Sequence, residues 1–378
     1  MFEPILHSLN NKRMYLNSAA IGFLLLLAFA LNSCIKDEPL NPEADIIKIS
    51  LPPGVAISEP IFNGENIFIA VSKGENLNSI SPTIAITEGA SISPKSGEVQ
   101  DFSKPVLYTV TSQSGSTQRK YKVILEPYSF LQTDFDNWET FVAESGKYKY
   151  DTPVEYSENG NKVAVWASSN PGVSIYQQFT DPLLYPVHKS IGGAAVVLET
   201  KKGPGNIMGI QNIPVVAGSL FTGSMNLSNA LNDPLSSTRF GIFCDYLPDH
   251  IEGNYSYKAG AGDYIDAKGN AVKGKTDMCA LYAVLFKVDA GVSYLDGNNI
   301  LTHPNIVAIT TQTYHNSTPG NELIPFDLKF VYKEGVVVDF EKNRYKIAVI
   351  FSSSYRGDLY EGTPGSKMMV DNVRIIKK

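Results

Sequence analysis

This sequence is poor in the residues that staple a small fold, ligate zinc or grip nucleic acid. It has three cysteines and five histidines in 378 residues. No CxxC spacing occurs, so neither a disulfide framework nor a zinc module is expected. Lysine and arginine total 32 against 38 aspartate and glutamate, a net charge of −6. That balance lacks the positive footprint of nucleic-acid binding, and no nucleic-acid partner is expected. Charged residues are only 19% of the chain, and no amphipathic pattern of helical period runs for three turns.

What is present points to strands. Tyrosine (20), phenylalanine (18), glycine (30) and proline (22) are plentiful, and hydrophobic residues reach 43%. β-Branched and aromatic runs separated by Gly/Pro turns are the signature of an all-β chain. The length suits two or three domains once a leader is removed.

The leader is residues 1–33. Lys12 and Arg13 form a basic n-region, and Ala19 to Leu31 is an apolar run too short for a comfortable membrane span. It ends at Leu31-Asn32-Ser33-Cys34, and Met14 is an alternative start. Small residues before a cysteine resemble the lipobox of bacterial lipoproteins. The resemblance implies cleavage before Cys34 and acylation there, which anchors the chain in a membrane. Residues 34–42 are then a lipidated tether. Its Ile35-Lys36-Asp37-Glu38 resembles the acidic export signal of Bacteroidetes lipoproteins, which implies the outer face of the outer membrane; the periplasmic face is the alternative.

Residues 43–127 alternate short apolar runs with turns. Val106 to Thr111, Ser114-Gly115-Ser116, and Arg119 to Leu125 predict a β-hairpin. About seven short strands in this length suit an immunoglobulin-like sandwich. The hairpin resembles the last one of small Ig-like modules in Bacteroidetes surface lipoproteins, which implies a spacer. Residues 128–378 carry longer runs, including Met278 to Phe286 and Tyr345 to Phe351, joined by Asp-Pro, Pro-Gly, Asp-Gly and Asn-Gly turns. That reads as a larger jelly-roll β-sandwich.

The order of landmarks in this second segment resembles the "putative carbohydrate metabolism domain" of Bacteroidetes lipoproteins. They are Phe135-Asp136-Asn137-Trp138, Trp166 to Gly172, Tyr255 to Gly260, Leu295-Asp296-Gly297, Phe351 to Asp358, and Met369 to Val373. The resemblance implies a jelly roll similar to carbohydrate-binding modules. It implies a role in glycan capture or carbohydrate metabolism, with a glycan and outer-membrane uptake proteins as partners.

Sugar recognition needs flat aromatic faces and a few placed polar groups. The candidates are Trp166 with Asn170, Tyr255 with Tyr257, Tyr314, and Arg356 with Asp358. Each has a bland alternative: Trp166 as core, Tyr255 and Tyr257 as a half-buried strand face, Arg356 and Asp358 as an ion pair. No catalytic constellation stands out. Gly203-Pro204-Gly205 reads as a turn rather than a phosphate loop, and no GxSxG elbow occurs. A catalytic-acid search starts at Asp245, Asp277 and Asp358. No cofactor is required, but a structural calcium is an expectation, held by Asp134, Asp136 and Asp371 where the first and last strands meet. Cys244 and Cys279 are open to either a disulfide or two buried thiols. Three functions remain: non-catalytic glycan binding, a glycoside hydrolase or related hydrolase, and a structural or adhesion protein with protein partners.

Overall fold

The computed structural model describes residues 39–378 apart from 144–145, 147, 176–178, 190–192, 208–210 and 231. The leader, Cys34 and the start of the tether lie outside the described residues. Among the described residues no helix is long and apolar enough to cross a membrane.

Alternation of apolar and polar side chains builds the first module. Its strands are β1 (Ile46–Ser50), β2 (Ile61–Asn63), β3 (Asn66–Val71), β4 (Thr83–Ile86), β5 (Ser91–Ser93), β6 (Val106–Thr111) and β7 (Gln118–Pro127). One sheet is β1-β4, and the other runs β2-β3-β7-β6-β5. β6 and β7 are the expected hairpin, with Val106 opposite Val123 and Thr111 opposite Gln118. Gly115 turns it at φ +70°, a conformation that a Cβ disfavours. Ile67, Ile69, Tyr108, Val110 and Val123 fill the space between the sheets. This is an Ig-like sandwich.

The second module is the larger sandwich. The main path of its sheet has ten strands: β8 (Trp166–Ser168), β9 (Leu184–His188), β10 (Ala194–Glu199), β11 (Ser219–Met225), β12 (Pro248–Lys258), β13 (Cys279–Val288), β14 (Ile306–Thr310), β15 (Ile324–Tyr332), β16 (Arg344–Ser352) and β17 (Lys367–Lys377). They lie in the order β8-β11-β16-β13-β14-β15-β12-β17-β10-β9. The β14–β15 pairing, with Ala308 opposite Tyr332, folds this path into two facing halves. Leu281, Leu285, Ile347 and Phe351 of one half meet Ile251, Tyr257, Leu198 and Val370 of the other.

β13 reads CALYAVLFKV, with its first eight residues buried. Such a continuous apolar run needs both faces covered. The odd-numbered side chains enter the main core. The even ones (Ala280, Tyr282, Val284, Phe286) point outward into a second cluster with Phe221, Phe240, Leu295, Ile300 and Ile350. The outer face of β11-β16-β13 is therefore apolar and covered by loops.

The first module is docked rather than hung. Ile57 is 3% exposed and belongs to the main core of the second module. Its carbonyl accepts from Phe243 N–H at 3.3 Å. The buried Glu126 carboxylate accepts from the side-chain amides of Asn159 and Asn161. Arg344 pairs with Glu75 at 3.5 Å and its stem packs over Gly54. Ile57→Ala is expected to cost about 3 kcal/mol by leaving a cavity in the shared core. Calorimetry is expected to show both modules melting in one transition that this substitution lowers. A first module that melts separately and is untouched by it would contradict the shared core.

Candidate functional site

The outward apolar face of β11-β16-β13 forms the floor of a cavity of about 390 Å³. That is within the usual range of small-molecule sites. Across the floor, Tyr314, Ala280, Ser352 and Ser219 form one row by strand pairing. Tyr282, Ile350 and Phe221 form the next. Phe240, on the short strand Thr238–Phe240 beside β11, closes the far side, its ring 4.7 Å from that of Phe221. The walls come from segments 227–230, 234–238, 297–302 and 355–360. Tyr314 and Tyr355 meet edge-on at 5.3 Å.

One end of the cavity is polar. Tyr282 is 6% exposed, and its hydroxyl makes no hydrogen bond among the described residues. Burial raises its pKa, and the nearby Tyr314 and then Asp358 add to this, so it stays a donor. Tyr314 is raised by burial and then by Asp358, against Arg356. Asp358 is open to solvent at the cavity mouth, yet protein crowds its carboxyl and raises its pKa against a backbone hydrogen bond from Leu359. Asp358 is the one carboxylate among the described lining residues.

The loop that carries Tyr355, Asp358 and Tyr360 is pinned from below. The buried Asp277 Oδ2 accepts from Ser354 Oγ at 2.6 Å, Thr363 N–H at 2.8 Å and Ser366 Oγ at 2.8 Å. Its Oδ1 accepts from Met278 N–H at 2.9 Å. Gly362, at φ +155°, sits against Ser354 Oγ and Asp277, where a Cβ would collide. Arg356 Nε donates to Glu361 at 2.8 Å, and Tyr264 and Lys275 also hold that carboxylate.

Of the sequence candidates, the structure brings Tyr314 and Asp358 to this cavity. Arg356 sits beside them but pairs with Glu361 instead of Asp358. Three others need correction because the core claims them, and a fourth, Tyr255, is half-buried against it. Trp166 is 7% exposed, wedged among Phe130, Phe135 and Phe351. Its Nε1–H donates to Glu155 at 2.9 Å. Asn170 is fully buried and serves the backbone: its Oδ1 accepts from Leu183 and Leu184, and its Nδ2 donates to the Leu184 carbonyl. Tyr257 is buried in the main core, and Tyr255 packs edge-on against His315 and Phe326. Cys244 and Cys279 are free, buried thiols; burial pushes Cys244 up to about 12.

The proposed metal residues do converge in part. Asp136 and Asp371 both face Lys189, whose Nζ is 2.9 Å from Asp371 and 4.0 Å from Asp136. Asp136 also accepts from Ala194 N–H at 2.7 Å. An ammonium thus occupies the place between them, and Asp134 is exposed and apart, capping Asp136 N–H at 3.1 Å. Among the described residues no group of three or more His, Cys, Asp or Glu is arranged to hold a metal ion.

A second, polar groove of about 940 Å³ lies at the other half of the sandwich. Asp134, Glu155, Glu252, Asp327, Asn254 and Arg374 are among its lining residues. Burial raises the Glu155 carboxyl; bonds from Thr133 and Trp166 oppose this, and Asp134 adds to it.

Sequence reasoning missed Tyr282 and named Asp277 only as a starting point for a catalytic-acid search. A lone hydroxyl inside the apolar run Cys279 to Phe286 is the signal for the first; nothing local marks the buried, anchoring role of the second. The spacing GxxxxGK[ST] also occurs, at residues 269–276. It lies at the end of a short hairpin with no helix following, and Lys275 rests 3.7 Å over the Tyr264 ring, so it makes no phosphate cradle.

Asp277→Ala is expected to cost about 3 kcal/mol in chemical denaturation, because it orphans four buried donors. His315 gives the pH dependence. Burial lowers its pKa below the usual 6.5, opposed by the bond from Nε2–H to the Leu281 carbonyl at 3.0 Å. The native state therefore refuses a proton that the unfolded chain accepts. Its contribution is fully present above 6.5 and falls as pH drops through the folded value. The melting temperature of His315→Gln is expected to depend less on pH below 6.5 than that of the native chain; an identical slope would rule this out. Chelation by EGTA is expected to leave the melting temperature unchanged, since Lys189 already neutralises Asp371.

Comparison with known proteins agrees with this architecture. Residues 134–376 match the family model "Putative carbohydrate metabolism domain", and residues 46–124 match "SGBP, N-terminal". The chain is similar to a putative glycoside hydrolase from Bacteroides thetaiotaomicron, with 33% identity and a TM-score of 0.70 over 91% of this chain and 99% of that one. It is also similar to a putative glycoside hydrolase from Bacteroides vulgatus, with 27% identity and a TM-score of 0.58 over 66% of this chain and 98% of that one. No curated protein matches. The family model covers well over half of the chain, and the chain therefore belongs to the putative carbohydrate metabolism domain family.

Proposed function

We propose that this protein captures glycan at the cell surface without cutting it. A carbohydrate-related role accords with the family, and a surface location accords with the SGBP match of the first module. The lipobox-like Leu31 to Cys34 supports an outer-membrane lipid anchor on Cys34, with the first module as a rigid pedestal. The observation that carries non-catalytic binding is the lone carboxylate of the aromatic cavity. Glycoside hydrolysis usually needs two carboxyl groups flanking the scissile bond. Among the described lining residues Asp358 has no such partner, and the adjacent Glu361 is consumed by Arg356, Lys275 and Tyr264. Tyr314 and Tyr282 supply ring edges and hydroxyl donors instead.

The polar groove favours a second reading, a hydrolase. Glu155 with its raised pKa beside Asp134 has the asymmetry of an acid and a charged partner. A glycan array followed by product analysis separates the two. Under binding, hits stay intact and weaken about tenfold or more in folded Tyr314→Ala and Asp358→Asn variants. Cleaved products that vanish in Glu155→Gln would move the function to the groove and to hydrolysis.

A further inference from the structure

The cavity has unlike ends, and this sets what kind of sugar fits it. The Tyr314 end carries the polar groups open to a ligand: the Tyr314 hydroxyl, the Tyr282 hydroxyl from the next row, and the exposed Asp358 carboxyl on its loop. Beyond the Tyr282–Ile350–Phe221 row the lining is mostly apolar, with Phe240, Met225, Leu227, Leu235, Ile300 and Leu301; Ser237 Oγ is buried there without a hydrogen-bond partner among the described residues, and Asn298 and Thr302 lie on the exposed wall. Several hydroxyls of the lining are already committed to the fold. Thr238 Oγ1 accepts from Gly297 N–H at 3.0 Å, and Ser169 Oγ from Ser219 N–H at 3.0 Å. Ser352 Oγ donates to the Ser354 carbonyl at 2.9 Å, and Ser354 Oγ to Asp277. A bare pyranose filling the cavity would bury more hydroxyls at the apolar end than Ser237 Oγ can satisfy, and each such loss is costly.

We propose that the cavity selects a neutral sugar carrying a short acyl ester. The ring sits at the Asp358–Tyr314–Tyr282 end, and the acyl group reaches toward Leu235 and Phe240. With no lysine or arginine among the described lining residues to balance a second carboxyl, the Asp358 end disfavours uronic acids. This inference rests on the binding function proposed above for the same cavity.

The test uses the full chain in mild detergent and saturation-transfer NMR titrations. The probes are methyl glycosides of glucose, galactose and mannose, each bare and 6-O-acetylated, with methyl glucuronide as the charged comparison. In at least one pair the acetylated member is expected to bind about tenfold tighter than the bare one. Methyl glucuronide is expected to bind more weakly than bare methyl glucoside. Leu301 is 38% exposed at the lip of the apolar end, so Leu301→Asn folds readily and is expected to shrink the acetyl preference. Asp358→Asn is expected to weaken both members of a pair alike. Bare and acetylated sugars that bind equally, with both weakened by Asp358→Asn, would overturn the acyl preference and leave glycan binding standing. Failure of every pair to bind would overturn both.

Discussion

The Asp277 carboxylate is the contact on which the rest of the site depends. It is 1% exposed and has no lysine or arginine within ion-pair distance among the described residues. Four neutral donors replace the water it lost. They come from its own strand start and from positions 77, 86 and 89 residues further on. Thr200 Oγ1 extends the network to Ser353 and Ser354 at 2.7 Å each, and Ser353 Oγ accepts from Gly218 N–H at 3.0 Å. The ends of β10, β11, β13 and β16 are thus tied through one buried anion. A buried charge is tolerated only when its hydrogen bonds are complete, so the loop bearing Tyr355 and Asp358 has little freedom in where it starts and ends.

A second constraint is the two-faced burial of β13 and β16. A sandwich needs one apolar face per sheet; these strands have two. The inner face makes the core that any jelly roll has. The outer face must also be covered, and the loops that cover it leave a cavity against Tyr282 and Ile350. The cavity floor is thus an outcome of packing, made from strands too central to move. The apolar character of the cavity follows from the same fact.

The fold was legible because alternation, turn chemistry and continuous apolar runs act locally. The hairpin around Gly115 and the all-β class needed no long-range information. The site was less legible, because exposure is a tertiary property. Trp166 and Tyr257 have the chemistry of sugar platforms but lie on inward faces. Tyr314 and Asp358 lie on the outward side. Sequence period alone could not separate these sets, since β13 has no polar face to fix its phase. Asp277 was one of three carboxyls named for a catalytic-acid search, and its anchoring role emerged only when its donors, scattered over nearly ninety positions, came together. Lys189 was invisible for the same reason, and its ammonium stands where a cation was expected from the carboxylates alone.

The docking of the two modules has a consequence for how such chains can be rearranged. Ile57 fills a hole in the second module's core, Gly54 lies under the Arg344 stem, and the Glu126 carboxylate lends itself to two asparagines of its neighbour. The first module is therefore not an exchangeable bead on a string. A chimera that grafts a foreign Ig-like module onto this jelly roll inherits an unfilled pocket and two amides without an acceptor. Shuffling in this lineage is accordingly constrained to move the pair as one unit, or to rewrite both sides of the seam together.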